Sequence, residues 1–197
     1  MNYLAHLFLA QPTADSHFGN MLGDFGGLTK VTITTPQILR GLKNHYLVDK
    51  YTDNHQLVRK AKTYFSAKNK RFSGIALDVL FDHFLIKHWH LFHQVPFATF
   101  KQQSYRRLGK RQELMPDRMK HTVSRIILDD WFESYKTVTG IYTAIENISK
   151  RIHFKNNFSS STQDIDQYYS ELEHLFLQFF PELMLYIAQQ GPENQHK

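Results

Sequence analysis

Apolar positions recur along the chain at spacings of three and four while strand-like alternation is almost absent, a pattern that predicts an all-α protein. The densest stretch is a helix over 73–94, with Ile75, Leu77, Leu80, Phe81, Phe84 and Leu85 on its buried side. Breakers divide the remainder. A short helix over 2–10 precedes Gly19, Gly23, Gly26 and Gly27, which mark an irregular segment running to Thr35 and Pro36. Thr35 as a cap and Pro36 at the first helical position open the next helix, over 36–51. Further helices are predicted over 54–67, 97–109, 117–135, 137–152, 163–180 and 181–190, with Ser159–Thr162 as a loop and cap and the tail over 190–197 frayed. No repeat or linker splits the chain, so residues 1–197 read as a single-domain helical bundle.

Composition narrows the chemistry. The chain has 197 residues, 42% of them hydrophobic, enough to bury a core, and no cysteine. Disulfides, thiolate metal sites and cysteine nucleophiles are thereby excluded, and any metal must be held by imidazole and carboxylate. No apolar run approaches the ~20 residues of a membrane span, and the N-terminus lacks the features of a signal peptide. A soluble cytoplasmic protein is expected. Charge is unevenly spread: residues 1–112 carry 16 bases and 6 acids, and residues 113–197 carry 8 and 12. The first part contains no Glu, which suggests positional roles for its Asp residues. Two acid-free basic blocks, Arg59 to Arg71 and Lys101 to Arg111, suit a polyanion, either nucleic acid or an acidic protein.

Several Asp and His residues fall at ligand spacing. Asp78 and Asp82 are one turn apart with His83 adjacent, in an otherwise apolar helix; they are either metal ligands or a solvated stripe ion-paired to Lys87. If the helix persists to residue 53, His45, Asp49 and Asp53 project from one side of it; the alternative is that Thr52 or Asp53 caps the next helix and His45 is a satisfied, half-buried histidine. Asp24 stands among glycines that permit close backbone approach, and His6 on the first helix could converge with it. His and Asp ligands without Cys suit Mn²⁺, Fe²⁺, Mg²⁺ or Zn²⁺ in metal-assisted phosphoester hydrolysis. No P-loop, Rossmann fingerprint, serine elbow or zincin motif is present.

Met1-Asn2-Tyr3-Leu4-Ala5-His6-Leu7, Gly19 to Phe25, His45 to Asp49, Thr52-Asp53-Asn54-His55 and Asp78 to His83 with Trp89, in this order, resemble the acyl carrier protein phosphodiesterase family, and the resemblance continues through Tyr168-Tyr169 and Phe179-Phe180-Pro181. It implies an enzyme related to the HD-type metal phosphohydrolases that splits holo-acyl carrier protein into apo-carrier protein and 4′-phosphopantetheine. The implied cofactor is a divalent metal, Mn²⁺ foremost, with Mg²⁺ or Fe²⁺ as alternatives. Asp24, Asp82 and His83 fall on the family's motif positions, with His6, His45 and Asp49 as further candidate ligands and Asp24 and His83 as catalytic groups. Tyr46 departs from the family, which often places Arg there. Carrier proteins are small and acidic, so Arg59, Lys62, Arg106 and Arg107 are the expected docking residues. The rival readings are an HD-like phosphohydrolase acting on a nucleotide or another phosphodiester, and a basic nucleic-acid-binding helical protein without activity.

Overall fold

The computed structural model describes residues 1–31 and 35–194, and among these every regular element is helical. Residues 32–34, within the expected irregular segment, and 195–197 lie outside the described residues. The helices are α1 (Tyr3–Phe8), α2 (Ala14–Leu22), α3 (Pro36–Asn54), α4 (Gln56–Thr63), α5 (Ser73–Lys87) and α6 (Trp89–Phe92). They continue as α7 (Phe97–Gly109), α8 (Asp117–Leu128), α9 (Trp131–Ser134), α10 (Val138–Arg151), α11 (Ser161–Gln167) and α12 (Tyr169–Gln190). No helix among the described residues is long and apolar enough to cross a membrane.

The glycines at the start of the presumed irregular segment turn out to be contact points between helices. α2 is capped by Thr13, whose hydroxyl accepts from the Ser16 amide, and runs through Gly19. A Cβ on Gly19 would lie 2.3 Å from the Ile38 carbonyl, and one on Gly41 would lie 2.7 Å from the Ser16 carbonyl. The missing side chains therefore let α2 and α3 cross backbone to backbone. This crossing brings the end of α2 and the Gly23–Phe25 turn against the middle of α3.

α5 is the axis of the molecule and packs against α1, α4, α10 and α12. It is apolar nearly all round, with Leu77, Val79, Leu80, Phe81, Phe84 and Leu85 buried, as a helix enclosed on several sides must be. Ile75, expected inside, is 43% exposed. The expected helix over 73–94 breaks at His88, and that over 117–135 breaks at Asp129 and Asp130. Asp130 has φ of 45°, a left-handed conformation held by Lys101 and Tyr105 at 2.6 and 2.9 Å from its carboxylate. Conversely, no break occurs at Pro181. α12 continues through it because Phe179, Phe180, Leu183 and Ile187 on both sides are buried, which offsets the backbone bond that proline cannot donate. The tail does not fray at 190: Glu193 accepts from the Asn20 side chain at 3.0 Å, and Asn194 accepts from Gln11 at 2.6 Å.

Candidate metal centre and adjoining cleft

His45 and Asp49 stand one turn apart on α3, with His45 Nε2 3.1 Å from Asp49 Oδ2. α1 supplies His6, whose Nε2 lies 3.2 Å from the other carboxylate oxygen. The two imidazoles stack at 4.0 Å between centroids, and one ligand atom from each of the three residues falls within 4.8 Å of the others. His45 Nδ1 sits 2.7 Å from the Asn20 carbonyl. That contact makes Nδ1 a donor to the carbonyl and turns Nε2 toward Asp49 and His6, the nitrogen that would be free to bind a cation once its own proton is lost.

His6 is completely buried; its Nδ1 has no hydrogen-bond partner, and its Nε2 meets Asp49 at 3.2 Å without hydrogen-bond geometry. Burial, followed by the neighbouring His45, pushes its pKa down to about 4, so the ring is neutral at physiological pH. Burial alone would raise the Asp49 carboxyl, but the close approach of His45 and His6 holds it well below the usual carboxylate range. Burial likewise opposes charge on His45, and is outweighed by its bond to Asp49 and the charge of Asp24. Two imidazoles and an ionised carboxylate, with an unpartnered buried nitrogen among them, fit a first-row divalent cation.

Asp24 borders this group from the Gly23–Phe25 turn, its Oδ1 4.0 Å from His45 Nε2. The carboxyl keeps 36% of its surface exposed at the cleft mouth, and the desolvation it does undergo there pushes its pKa up to about 6, His45 opposing the effect and Asp49 adding to it. Gly23 is required for the contact: a Cβ there would lie 2.0 Å from His45 Cδ2. Asp78 lies at the margin, 3.1 Å from the Met1 amine, which also reaches Asp49.

Asp82 and His83 do not join the group. Asp82 is fully buried and both its oxygens are taken, accepting the Leu4 amide at 3.1 Å and the Ala5 amide at 3.0 Å. It satisfies amides at the start of α1, where Asn2 provides no side-chain cap. Burial raises its pKa to about 7 despite those bonds. His83 has Nδ1 2.7 Å from the Tyr135 carbonyl and Nε2 2.7 Å from the Tyr169 hydroxyl, so both nitrogens are engaged between α5, α9 and α12. Asp53 turns away to Lys62 at 3.1 Å.

Asp24 opens into a cleft of about 780 Å³ between the first helix and α8, α9 and α10. Its cations are Arg118, Arg125, Lys150 and Arg151; its other carboxylates are Asp117 and Asp129. Arg125 pairs with Asp129 and Lys150 lies 3.9 Å from Glu146, which leaves Arg118 and Arg151 without a carboxylate partner among the described residues. None of the expected docking residues lines this cleft: Lys62 is occupied by Asp53, Arg59 bonds Asn54, and Arg106 and Arg107 lie on α7. Sequence reasoning passed over Arg118, Arg125 and Arg151 because they lie in the acidic part of the chain. The available signal was the 118, 121, 122, 125 spacing of Arg, His, Thr and Arg along one face of α8.

The sequence profile of the family described as acyl carrier protein phosphodiesterase matches residues 1–183. A protein of that name from Yersinia pestis is 35% identical over 185 residues, covering 93% of this chain and 96% of its own. One from Serratia proteamaculans (strain 568) is 34% identical over the same coverage, and one from Salmonella agona (strain SL483) is 30% identical over 97% of this chain and 100% of its own. No solved structure matches the chain. With the match running through His6, Asp24, His45 and Asp49 and on to Leu183, the chain belongs to the acyl carrier protein phosphodiesterase family.

Proposed function

We propose that this protein hydrolyses the phosphodiester joining 4′-phosphopantetheine to a serine of holo-acyl carrier protein, releasing apo-carrier protein and 4′-phosphopantetheine. The observation that carries this reading is the juxtaposition of a two-imidazole, one-carboxylate cluster with a cleft bearing unpaired arginines. His6, His45 and Asp49 would hold a divalent cation, Mn²⁺ first, in an HD-like arrangement. Such an ion supplies neutralisation of the phosphate and a lowered pKa for water.

The chain's own residues supply the rest. The Asn20 carbonyl fixes the tautomer and orientation of His45. Asp82 sets the position of His6 by holding the amides of α1. Arg118 and Arg151 bind the phosphate oxygens, a task their planar, multidonor heads suit. Asp24 stands between the ligand group and the cleft, where its carboxylate can take a proton from the attacking water and pass it to the departing serine oxygen. In this reading His83 braces α5 against Tyr135 and Tyr169 and does not act on substrate. The partner is a small acidic cytoplasmic protein, drawn to the cleft by long-range attraction that fades with salt.

Intact-mass analysis of holo-acyl carrier protein incubated with this protein and Mn²⁺ tests the assignment. Conversion to the apo mass with Mn²⁺, and none with chelator, is the expected result. Mn²⁺ binding without conversion would move the site to a different phosphodiester, and conversion in chelator would remove the metal from the reaction.

A further inference from the structure

A second cavity, of about 210 Å³, adjoins the cleft on the side away from α8 and is bounded by the start of α1, by α9 and by one face of α10. Tyr3, Trp131, Asn147 and Arg151 line both spaces, so the slot opens directly beside the phosphate-binding arginine. We propose that this slot receives the pantetheine arm of the substrate, with its thiol directed toward Ser134 and Gly140. The inference rests on the functional reading above and extends it to the part of the substrate beyond the phosphate.

Three features of the slot point to such an occupant. Its volume lies below the ~300–1,000 Å³ of pockets that enclose drug-sized ligands, and suits the straight β-alanyl-cysteamine segment of the arm, with the branched dimethyl carbon beside the phosphate left at the mouth. Its wall is mixed: Trp131, Ala144 and Ile148 offer apolar contact, while the Asn2 side-chain nitrogen is buried on the lining with no hydrogen-bond partner. A buried amide donor left unpaired is costly unless something else pairs it, and the pantetheine arm carries two amide carbonyls. The far end is closed by backbone, since a Cβ on Gly140 would lie 1.8 Å from the Ser134 carbonyl.

The junction is also conformationally fixed. The left-handed Asp130, tied down by Lys101 and Tyr105, turns the chain between α8 and α9 and delivers Trp131 to the wall shared by slot and cleft. The Arg151 guanidinium lies 5.8 Å from the centre of that indole. A non-glycine residue held at positive φ persists where its neighbours fix it, commonly beside a ligand site.

Two substitutions on α10 would block the slot: Ala144→Phe, and Thr143→Trp at an exposed lining position where the core is untouched. Turnover of holo-carrier protein and inhibition by free 4′-phosphopantetheine are measured for wild type and both variants, with the thermal midpoint as the folding control. The expected result is at least a tenfold drop in kcat/KM and an equal loss of inhibition by 4′-phosphopantetheine in the folded variants, with inhibition by apo-carrier protein retained. Wild-type kinetics and inhibition in Thr143→Trp would overturn the slot assignment while leaving the phosphodiesterase reading intact. A wild-type protein inert on holo-carrier protein would instead sink that reading. The slot would then be judged by calorimetric binding of free pantetheine, where loss of binding in Thr143→Trp supports it and no binding to wild type refutes it.

Discussion

Replacing Gly23 by Ala sets two effects of opposite sign against each other. Gly23 has φ −55° and ψ −40°, ordinary helical values, so its backbone has no need of glycine. On conformational grounds alone Ala should stabilise the fold by about 0.4–1 kcal/mol. Space decides otherwise, because the new Cβ would lie 2.0 Å from His45 Cδ2 and 2.2 Å from Nε2. Carbon atoms in contact sit about 3.5–4 Å apart, so the ring would have to retreat by more than ~1 Å. It has nowhere to go: the His6 ring stacks on it at 4.0 Å, and Nδ1 is held by the Asn20 carbonyl at 2.7 Å. Overpacking of this kind costs about 1–3 kcal/mol, which outweighs the backbone gain and leaves a net loss of roughly 1–2 kcal/mol. The functional penalty is larger. Ligand distances tolerate errors of about 0.2 Å, and a misplacement near 1 Å can cost about a hundredfold in rate. Calorimetric titration with Mn²⁺ should show affinity reduced at least tenfold, and the holo-to-apo mass assay should show turnover reduced about a hundredfold. A variant with a raised thermal midpoint, wild-type Mn²⁺ affinity and turnover within threefold of wild type would refute the steric argument and the placement of His45 with it.

Other perturbations separate supporting residues from ligands. His83→Ala should lose about 1–3 kcal/mol in urea unfolding, because the Tyr135 carbonyl and Tyr169 hydroxyl lose their partner. Its Mn²⁺ affinity should stay within twofold of wild type, and a tenfold loss would return His83 to the ligand set. Arg118→Glu should raise KM for carrier protein about tenfold and flatten its dependence on ionic strength, whereas Arg106→Glu on α7 should leave both unchanged; the opposite ranking would place docking on α7. His17 is buried, and burial followed by the Arg107 charge pushes its pKa down to about 3. A depressed histidine binds a proton more readily unfolded than folded, so its contribution to stability is complete above the unfolded pKa of 6.5 and is lost as pH falls toward 3. Urea unfolding of the metal-free protein from pH 6 to pH 4 should lose up to ~1.4 kcal/mol per pH unit from this residue, and His17→Leu should flatten the curve by that amount; an unchanged slope would mean that His17 is not the titrating group.

Helical periodicity made the all-α class legible, and the i, i+4 spacing of His45 and Asp49 placed them correctly on one face of α3. Both signals are local. The errors arose where a residue's role is set by a distant partner. Gly19 reads as a breaker within its own segment, and only the backbone of α3 lying against it makes it a helical residue at a crossing. Pro181 reads as a boundary, and only the burial of Phe179, Phe180 and Leu183 carries the helix through it. The charge of the cleft is non-local in the same way. The basic stretch 1–112 holds Arg59, Lys62, Arg106 and Arg107, whereas the cleft gathers Arg118, Arg125, Lys150 and Arg151 from a stretch with more acids than bases. A sum along the chain cannot report which cations share a face.

The absence of Glu from the first 112 residues implies that the Asp residues there hold set positions, and four of the six gather around one short helix. Asp82 takes the Leu4 and Ala5 amides of α1, Asp49 meets His6, Asp24 borders His45, and Asp78 closes the margin. α1 has only six residues, too few to be stable through its own hydrogen bonds. It is fixed by Asp82 from below and by burial of Leu4, Ala5 and Leu7 against the core. A longer Glu at position 82 would push the amides away and carry His6 with them. The carboxylate that holds the Leu4 and Ala5 amides is thus the group on which the position of His6 depends, which gives Asp82 a positioning role at its place on the family motif.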